Sequence, residues 1–480
     1  MVVARKRFGT LALAGLALGS AAAAAPAQSG RPADLLPPAP AASPSASPAP
    51  TVPAVDTLGT ALPPAQPLGP QPAPMPVMAW SLADAQALLA FIENTAEGEG
   101  LTAADYQPDD LRTAIAAGPG AALDLAASRS FDWLVEDLRD GRTPLDARVQ
   151  WFAVDTDVDA LPTASVLAKA LAGHDIAGTL LALDPDNGEF AALKAALAAL
   201  PAQAPPVPKG ITPLPGTLTP VSLKHQRELL RVNIERWRWL PRDLGLIYLI
   251  ANVPEFQVRL VSNHAIIRSY RTVVGKPGRT ATPQLAERVQ AVVFNPTWTV
   301  PQSIVQGEGL GAKLLAHPDK GYKVTQTADG TVNVVQQPGP KNSLGMMKID
   351  MPNPHAIYLH DTPSRSLFNA KVRAFSHGCI RTEKAVELGM IMAMLGAGLT
   401  PQEAEAKTLS KKYARVTMTK TFPVYITYFT YGRDTTGQMT QFGDIYGRDK
   451  PVVASLAKPR ELHTTARVGQ QEVIVADDPL

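Results

Sequence analysis

An α+β fold is predicted, on three observations: residues 81–200 carry the apolar period of helices, the period beyond residue 246 changes to two, and proline-crowded stretches stand before and between these regions. A small all-α domain is therefore expected to precede a mostly-β domain. A length of 480 residues accommodates both, with linkers to spare.

Residues 1–27 are patterned as a secretory signal peptide, with Arg5, Lys6 and Arg7 as a basic start, residues 11–18 as an apolar stretch and Ala25-Pro26-Ala27 as a small-residue cleavage site. Cleavage within residues 21–27 is expected, because a membrane span needs ~20 strongly apolar residues and this stretch is short and alanine-rich. A retained leader would instead hold the chain at a membrane. The chain has 45 basic and 43 acidic side chains, and loss of the three leader cations leaves 42 against 43. So even a balance excludes nucleic acid as an expected partner. The single cysteine, Cys379, excludes an intramolecular disulfide framework, and no leader cysteine exists to be lipidated. In an oxidising compartment such as the periplasm, a lone thiol must be buried or used.

Residues 28–78 form a Pro/Ala-rich linker expected to be disordered: 16 prolines lie between Pro26 and Pro76, with almost no aromatic residue to offset the entropy of ordering. Residues 79–200 follow as the helical domain. Ser81 can cap a helix whose Leu82, Ala85, Leu88, Leu89 and Ile92 share a face, with Gly98 and Gly100 ending it. Further helices are expected over 109–117, 123–138, 164–172 and 190–200, with a turn at Gly141. No nucleophile and base stand together here, and Trp133 and Trp151 read as core residues. Residues 201–220, with seven prolines, are a second linker. Residues 221–245 carry a connecting helix in which Leu223, Leu230, Ile234 and Trp237 share a face before Pro241 stops it.

Residues 246–447 read as the mostly-β domain, with strands expected over 246–252, 256–261, 266–274, 289–294, 323–327, 331–336, 347–351, 357–360 and 424–431. Residues 301–345 break this pattern with a helix-like piece and an Asp329-Gly330 hairpin. An insertion of that size between core strands is expected to be a lid. Residues 448–480 form a C-terminal tail.

The chemistry concentrates in residues 357–381, IYLHDTPSRSLFNAKVRAFSHGCIR. A cysteine attacks as its thiolate, and a thiol of pKa ~8.5 is only a few per cent ionised near neutral pH. A neighbouring imidazole can take the proton, and Thr382 is expected to cap a helix over 383–395 whose N-terminus would add positive potential beside Cys379. His377 and His360 are both candidate bases. The geometry favours His360, which ends a strand and stands 19 positions before Cys379, room for a loop to return the thiol to it. Asp361 would orient the imidazole through its carbonyl or carboxylate. Gly378 permits close backbone approach, so the N–H groups of His377, Gly378 and Cys379 could form an oxyanion hole. Zinc is the other use of Cys and His, but one thiol and scattered histidines make a poor ligand set, so no metal and no cofactor is expected.

These residues resemble the L,D-transpeptidases of bacterial cell walls, whose signature is a histidine, a loop of this length, then Ser/Thr-His-Gly-Cys and, two positions on, Arg or Asn. His360, Ser376, His377, Gly378, Cys379 and Arg381 fill those places. The likeness to the large periplasmic branch extends to Val273-Val274-Gly275-Lys276, Phe294-Asn295-Pro296-Thr297-Trp298, Gly339-Pro340-Lys341-Asn342 with Leu344-Gly345, and Tyr358-Leu359-His360-Asp361-Thr362-Pro363. The helical region resembles that branch's scaffold domain, and residues 301–345 its capping subdomain.

The resemblance implies an L,D-transpeptidase catalytic domain. Its thiolate would attack a donor tetrapeptide stem of peptidoglycan, release D-alanine and pass the acyl group to an acceptor stem as a 3→3 cross-link. It implies Tyr358 and Arg381 as pocket residues, with Ser376, Trp298 and Asn342 also expected at the substrate, and acylation of Cys379 by carbapenems. No copy of the small peptidoglycan-binding module of larger members is found. Two alternatives use the same residues differently: a hydrolase with water as acceptor, or a wall-binding scaffold without catalysis.

Overall fold

The computed structural model describes residues 75–153, 161–204, 219–307 and 309–460. The expected signal peptide and nearly all of the first linker lie outside the described residues, as do residues 205–218 of the second.

The first helix, α1 (Leu82–Asn94), begins where expected, with the Ser81 hydroxyl accepting the Asp84 N–H at 3.1 Å. It ends at Asn94, before the glycines, because residues 95–100 wind on as hydrogen-bonded turns. With α2 (Pro108–Ala117), α3 (Ala121–Asp140), α4 (Thr163–Gly173) and α5 (Ile176–Leu181) it buries Leu88, Phe131, Leu134 and Leu167 in one core. α5 is too short to show a helical period, so sequence patterning missed it. α6 (Gly188–Ala198) behaves differently. Its Phe190, Leu193 and Leu197 join Ile234 and Trp237 of α7 (Pro220–Arg238) in a second core, which also takes Trp151, Tyr248 and Phe429. α7 is the expected connecting helix, capped by Thr219 with Pro220 at its first position. Trp151 is thus core as expected, and Trp133 packs half-buried on the first bundle.

The strands follow in order: β1 (Ile247–Asn252), β2 (Gln257–Ser262), β3 (Ala265–Gly275), β4 (Leu285–Phe294), β5 (Trp298–Val300), β6 (Tyr322–Gln326) and β7 (Val332–Gln336). After these come β8 (Met347–Asp350), β9 (Leu359–His360), β10 (Ala374–Ser376), β11 (Ile380–Thr382), β12 (Ala414–Thr427), β13 (Tyr431–Arg433) and β14 (Met439–Gln441). Eight of them close on themselves in the order β2-β3-β11-β9-β8-β4-β12-β1, since β1 also pairs with β2. Closure leaves no free edge among those eight strands. β10 adds in parallel to the end of β3. The barrel is filled by Leu249, Val258, Val292, Ile349, Leu359, Ile380 and Val424.

β12 starts ten residues earlier than sequence indicates, at Ala414, because the ladder runs through Pro423 by way of a register shift between Thr417 and Phe422. A proline within a strand pattern normally argues for a boundary. Here the shift accommodates it.

The insertion is a compact subdomain. β5, β7 and β6 form a three-stranded sheet covered by α8 (Gln302–Gly307) and α9 (Leu310–Ala316), around Trp298, Val300, Ile304, Leu314, Val334 and Leu344. It begins at β5, a little before residue 301. α10 (Ala385–Ala397) and α11 (Pro401–Leu409) follow the segment that carries Cys379.

The expected C-terminal tail requires correction. α12 (Asp449–Ala457) packs Val452 and Leu456 into the second core, and Arg460 is buried against Glu136 and Asp137 of α3. Its few apolar residues gave no helical signal; the partner surfaces supply the stability.

Candidate active site

The site is assembled at one junction of strands. β11 runs parallel to β9, with Ile380 opposite Leu359 and Arg381 opposite His360, and the Ile380 N–H donates to the Tyr358 carbonyl at 3.0 Å. Neighbouring strands lie ~4.8 Å apart, so Cys379, one residue before β11, stands beside Tyr358. The ladder alternates faces. Leu359 and Ile380 point into the barrel core, and His360 and Arg381 share the other face.

His360 is fully buried. Its Nδ1 donates to the Asp361 carbonyl at 2.5 Å, which leaves the buried Nε2 as the unprotonated nitrogen, with no hydrogen-bond partner among the described residues. Burial drives the imidazole down to about 3, and the charge of Arg381, opposite it on β11, pushes the same way. The ring is therefore neutral at pH 7, with a lone pair available to take a proton. Asp361 orients it through the carbonyl. Its carboxylate instead accepts the Met346 N–H at 2.9 Å and pairs with Arg365 at 3.2 Å. The Cys379 thiol, also buried, donates to the Ala356 carbonyl at 3.5 Å.

Three expectations need correction here. Thr382 does not cap a helix: it belongs to β11 and pairs with Thr272 of β3, and α10 begins only at Ala385 after Lys384 in a left-handed conformation. Pairing on both sides of β11 outweighs the capping signal, so no helix N-terminus lies next to Cys379. Ser376 is fully buried and serves the turn, its Oγ donating to the Cys379 carbonyl at 2.6 Å and accepting the Gly378 N–H at 3.3 Å. That takes the Gly378 N–H out of the expected oxyanion hole. Gly378 itself has φ 125°, a conformation that side chains rarely adopt.

Trp298 and Asn342, also expected at the substrate, both make contacts within the insertion. Trp298 lies in the insertion's core, and Asn342 clamps its base by donating to the carbonyls of Pro296 and Gln337 at 3.1 and 3.0 Å. Tyr358, expected as a pocket residue, lies between the barrel and the insertion. It is half-buried, packs against both the barrel core and the insertion core, and its ring centroid lies 5.7 Å from that of His360. His377 is half-buried in the turn that leads to Cys379.

Sequence reasoning missed Lys348, which sits on β8 directly opposite His360 with Nζ 4.1 Å from the Tyr358 ring centroid. It also missed Thr282, whose hydroxyl donates to the Gly378 carbonyl at 2.8 Å. Neither carries a local signal, because both reach the site through strand and loop pairing. Gly345 is a further requirement: a Cβ there would stand 2.4 Å from Asp361 Oδ2, on a backbone with φ 61°. Gly345→Ala is expected to lower the melting temperature and slow acylation together, as read by thermal unfolding and intact mass. Among the described residues no group of three His, Cys, Asp or Glu side chains is arranged to hold a metal.

Residues 247–392 match the YkuD family, the L,D-transpeptidase catalytic domain, and residues 77–197 match the Scaffold domain family. A Haemophilus influenzae protein named as an L,D-transpeptidase is 31% identical over 242 residues, 46% of this chain and 48% of that protein. The match thus spans about half the length of that curated relative. Among solved structures, an L,D-transpeptidase from Mycobacterium smegmatis is similar at 14% identity and a TM-score of 0.19, covering 39% of this chain and 59% of its own. L,D-transpeptidase 3 from Mycobacterium tuberculosis, in complex with a faropenem-derived adduct, is similar at 12% identity and a TM-score of 0.20, covering 38% and 60%.

Proposed function

We propose that this chain, which belongs to the L,D-transpeptidase family, cross-links peptidoglycan stems through a thioester on Cys379. The observation that carries this reading is the buried, neutral His360, whose Nδ1 is locked by a carbonyl and whose Nε2 has no hydrogen-bond partner among the described residues, on the strand paired with the one after the thiol.

In the first half-reaction the thiol proton passes to His360 Nε2 as Sγ bonds to the carbonyl carbon after the L-centre of the diamino acid at position three of a donor tetrapeptide. The C–N bond to D-alanine then breaks, and the departing amine takes the proton from His360. In the second half the side-chain amine of an acceptor stem attacks the thioester carbonyl, His360 receives its proton, and the restored thiolate leaves and is reprotonated. A base that is neutral at rest suits this sequence, because the same nitrogen must accept and return a proton twice. The product is a 3→3 cross-link. Tyr358 and Arg381, next to Cys379 and His360, shape the pocket for the donor stem. Strained β-lactams such as carbapenems would acylate the same thiol. The basic, apolar and small-residue pattern of residues 1–27 supports export to the periplasm, where the stems lie.

The test is purified enzyme with tetrapeptide-bearing muropeptides, read by mass. Wild type is expected to yield dimers and free D-alanine, and Cys379→Ala neither. Shortened monomers without dimers would replace transfer by hydrolysis. Identical masses from wild type and variant would remove the enzymatic reading.

A further inference from the structure

The loop between β8 and β9 is held by one side chain. Asn353 Oδ1 accepts the N–H groups of His355 and Ile357, both at 3.1 Å, and its Nδ2 donates to the carbonyls of Met351 and Ile357 at 2.6 and 2.7 Å. The Ala356 N–H donates to the Asn353 carbonyl at 3.1 Å, which closes the turn. Ala356 sits in it with φ 53°, in the left-handed region that a residue with a Cβ seldom adopts. Such a conformation persists where the surroundings over-determine it, and it collects at working sites. The helical domain reaches the same loop. The Phe152 ring packs on the His355 ring, with centroids 4.3 Å apart and planes tilted by 42°. Phe152 is fixed in turn, its N–H donating to the Gln284 carbonyl at 2.9 Å and the Gln284 side chain donating to the Val149 carbonyl at 3.1 Å.

In a trans peptide the carbonyl of one residue and the N–H of the next point in opposite directions in one plane. With the Ile357 N–H drawn onto Asn353 Oδ1, the Ala356 carbonyl is turned the other way, and there it accepts the Cys379 thiol at 3.5 Å. A carbonyl oxygen stabilises an S–H and repels the charge of a thiolate, so the contact favours the protonated form. That form is slow to attack and slow to oxidise.

We propose that Asn353 and Phe152 are positioning residues that present the Ala356 carbonyl to Cys379 and so hold its thiol protonated at rest. The assignment rests on the acyl-transfer role proposed for Cys379, in which His360 takes that proton as acylation begins. It also gives Phe152, outside the matched catalytic region 247–392, a part in the reactivity of a thiol held in the barrel.

Alkylation of Cys379 by iodoacetamide from pH 7 to 10, read by intact mass on the full chain, reports the thiolate. Asn353→Ala is expected to lower the midpoint of the rate curve by about one pH unit, raising the rate at pH 7 about four- to tenfold while the high-pH plateau stays within about threefold. Phe152→Leu should move the midpoint the same way, with about a twofold gain at pH 7, and serves if Asn353→Ala does not fold. Phe152→Tyr, which keeps the ring, should restore the wild-type curve. Among the other charged and titratable groups around the thiol, His360 and His355 are held below the ordinary imidazole value by burial and are neutral across this range. Arg381 is cationic throughout, and Lys348 and His377 are the same in every variant. A midpoint unmoved in both Asn353→Ala and Phe152→Leu, or a plateau that rises without a shift of midpoint, as simple opening of the site would give, overturns the proposal. A wild type that alkylates but is never acylated by imipenem would instead defeat the acyl-transfer reading itself.

Discussion

His360→Ala is expected to slow acylation of Cys379 about 100- to 10,000-fold, the usual range for a positioned general base. The measurement is the rate of mass gain with a carbapenem or of D-alanine release from a tetrapeptide. An unaffected variant would contradict the assignment and return the role to His377. The pH dependence gives a second handle. An ordinary imidazole with a pKa of 6.5 would retain about 3 % of its neutral form at pH 5. His360, pushed down to about 3 by burial, remains almost wholly neutral there, so the wild-type acylation rate is expected to hold from pH 7 to about pH 5. A fall centred near 6.5 would show a solvated imidazole instead.

The same displacement has a stability consequence whose sign is fixed. His360 has a lower value folded than unfolded, so between about 3 and 6.5 the unfolded chain binds a proton that the folded chain refuses. Stability therefore falls as pH drops through that window, at a limiting slope of about 1.4 kcal/mol per pH unit. His360→Ala should remove this contribution, flattening acid denaturation monitored by urea titration at several pH values.

Arg460→Ala is expected to destabilise the protein by about 3–5 kcal/mol, the range for removing one partner of a buried ion pair. Arg460 reaches back from beyond α12 to pair with Asp137 at 3.0 Å and Glu136 at 2.5 Å, and its guanidinium lies 5.0 Å from the Trp133 ring centroid. Asp137 has no solvent exposure and also accepts the Tyr106 hydroxyl at 2.8 Å, so withdrawing the guanidinium strands a buried charge. Arg142 strengthens the same clasp through Asp105 at 2.7 Å and the Ser455 carbonyl at 2.8 Å. Denaturant midpoints read the loss, and limited proteolysis should show cleavage beyond α12 before the bundle opens. An unchanged midpoint would mean that the clasp contributes only at the surface.

The division between what was legible and what was not follows range along the chain. Helices α1, α3 and α7 could be placed because caps and 3.6-residue spacing are local features, and Ser81 and Gly141 act where they stand. α12 could not, since its stability comes from Val452 and Leu456 meeting side chains more than two hundred residues earlier. The assignment of Thr382 as a cap failed for the same reason: a local signal lost to pairing with β3 and β9.

Sequence alone narrowed the candidate nucleophile to one thiol, since a chain with one cysteine offers one, and it singled out His360 and Asp361 as candidate partners through their order and spacing. Tertiary structure decided how those groups are arranged. It showed that the Asp361 carbonyl accepts from His360, that Ser376 and Asn342 hold backbone, and that Thr282, Tyr446 and Arg448 stand behind the turn that leads to Cys379. The physical reason is that reactivity belongs to a functional group, whereas orientation and solvation belong to its neighbours. In a closed barrel those neighbours come from every part of the chain.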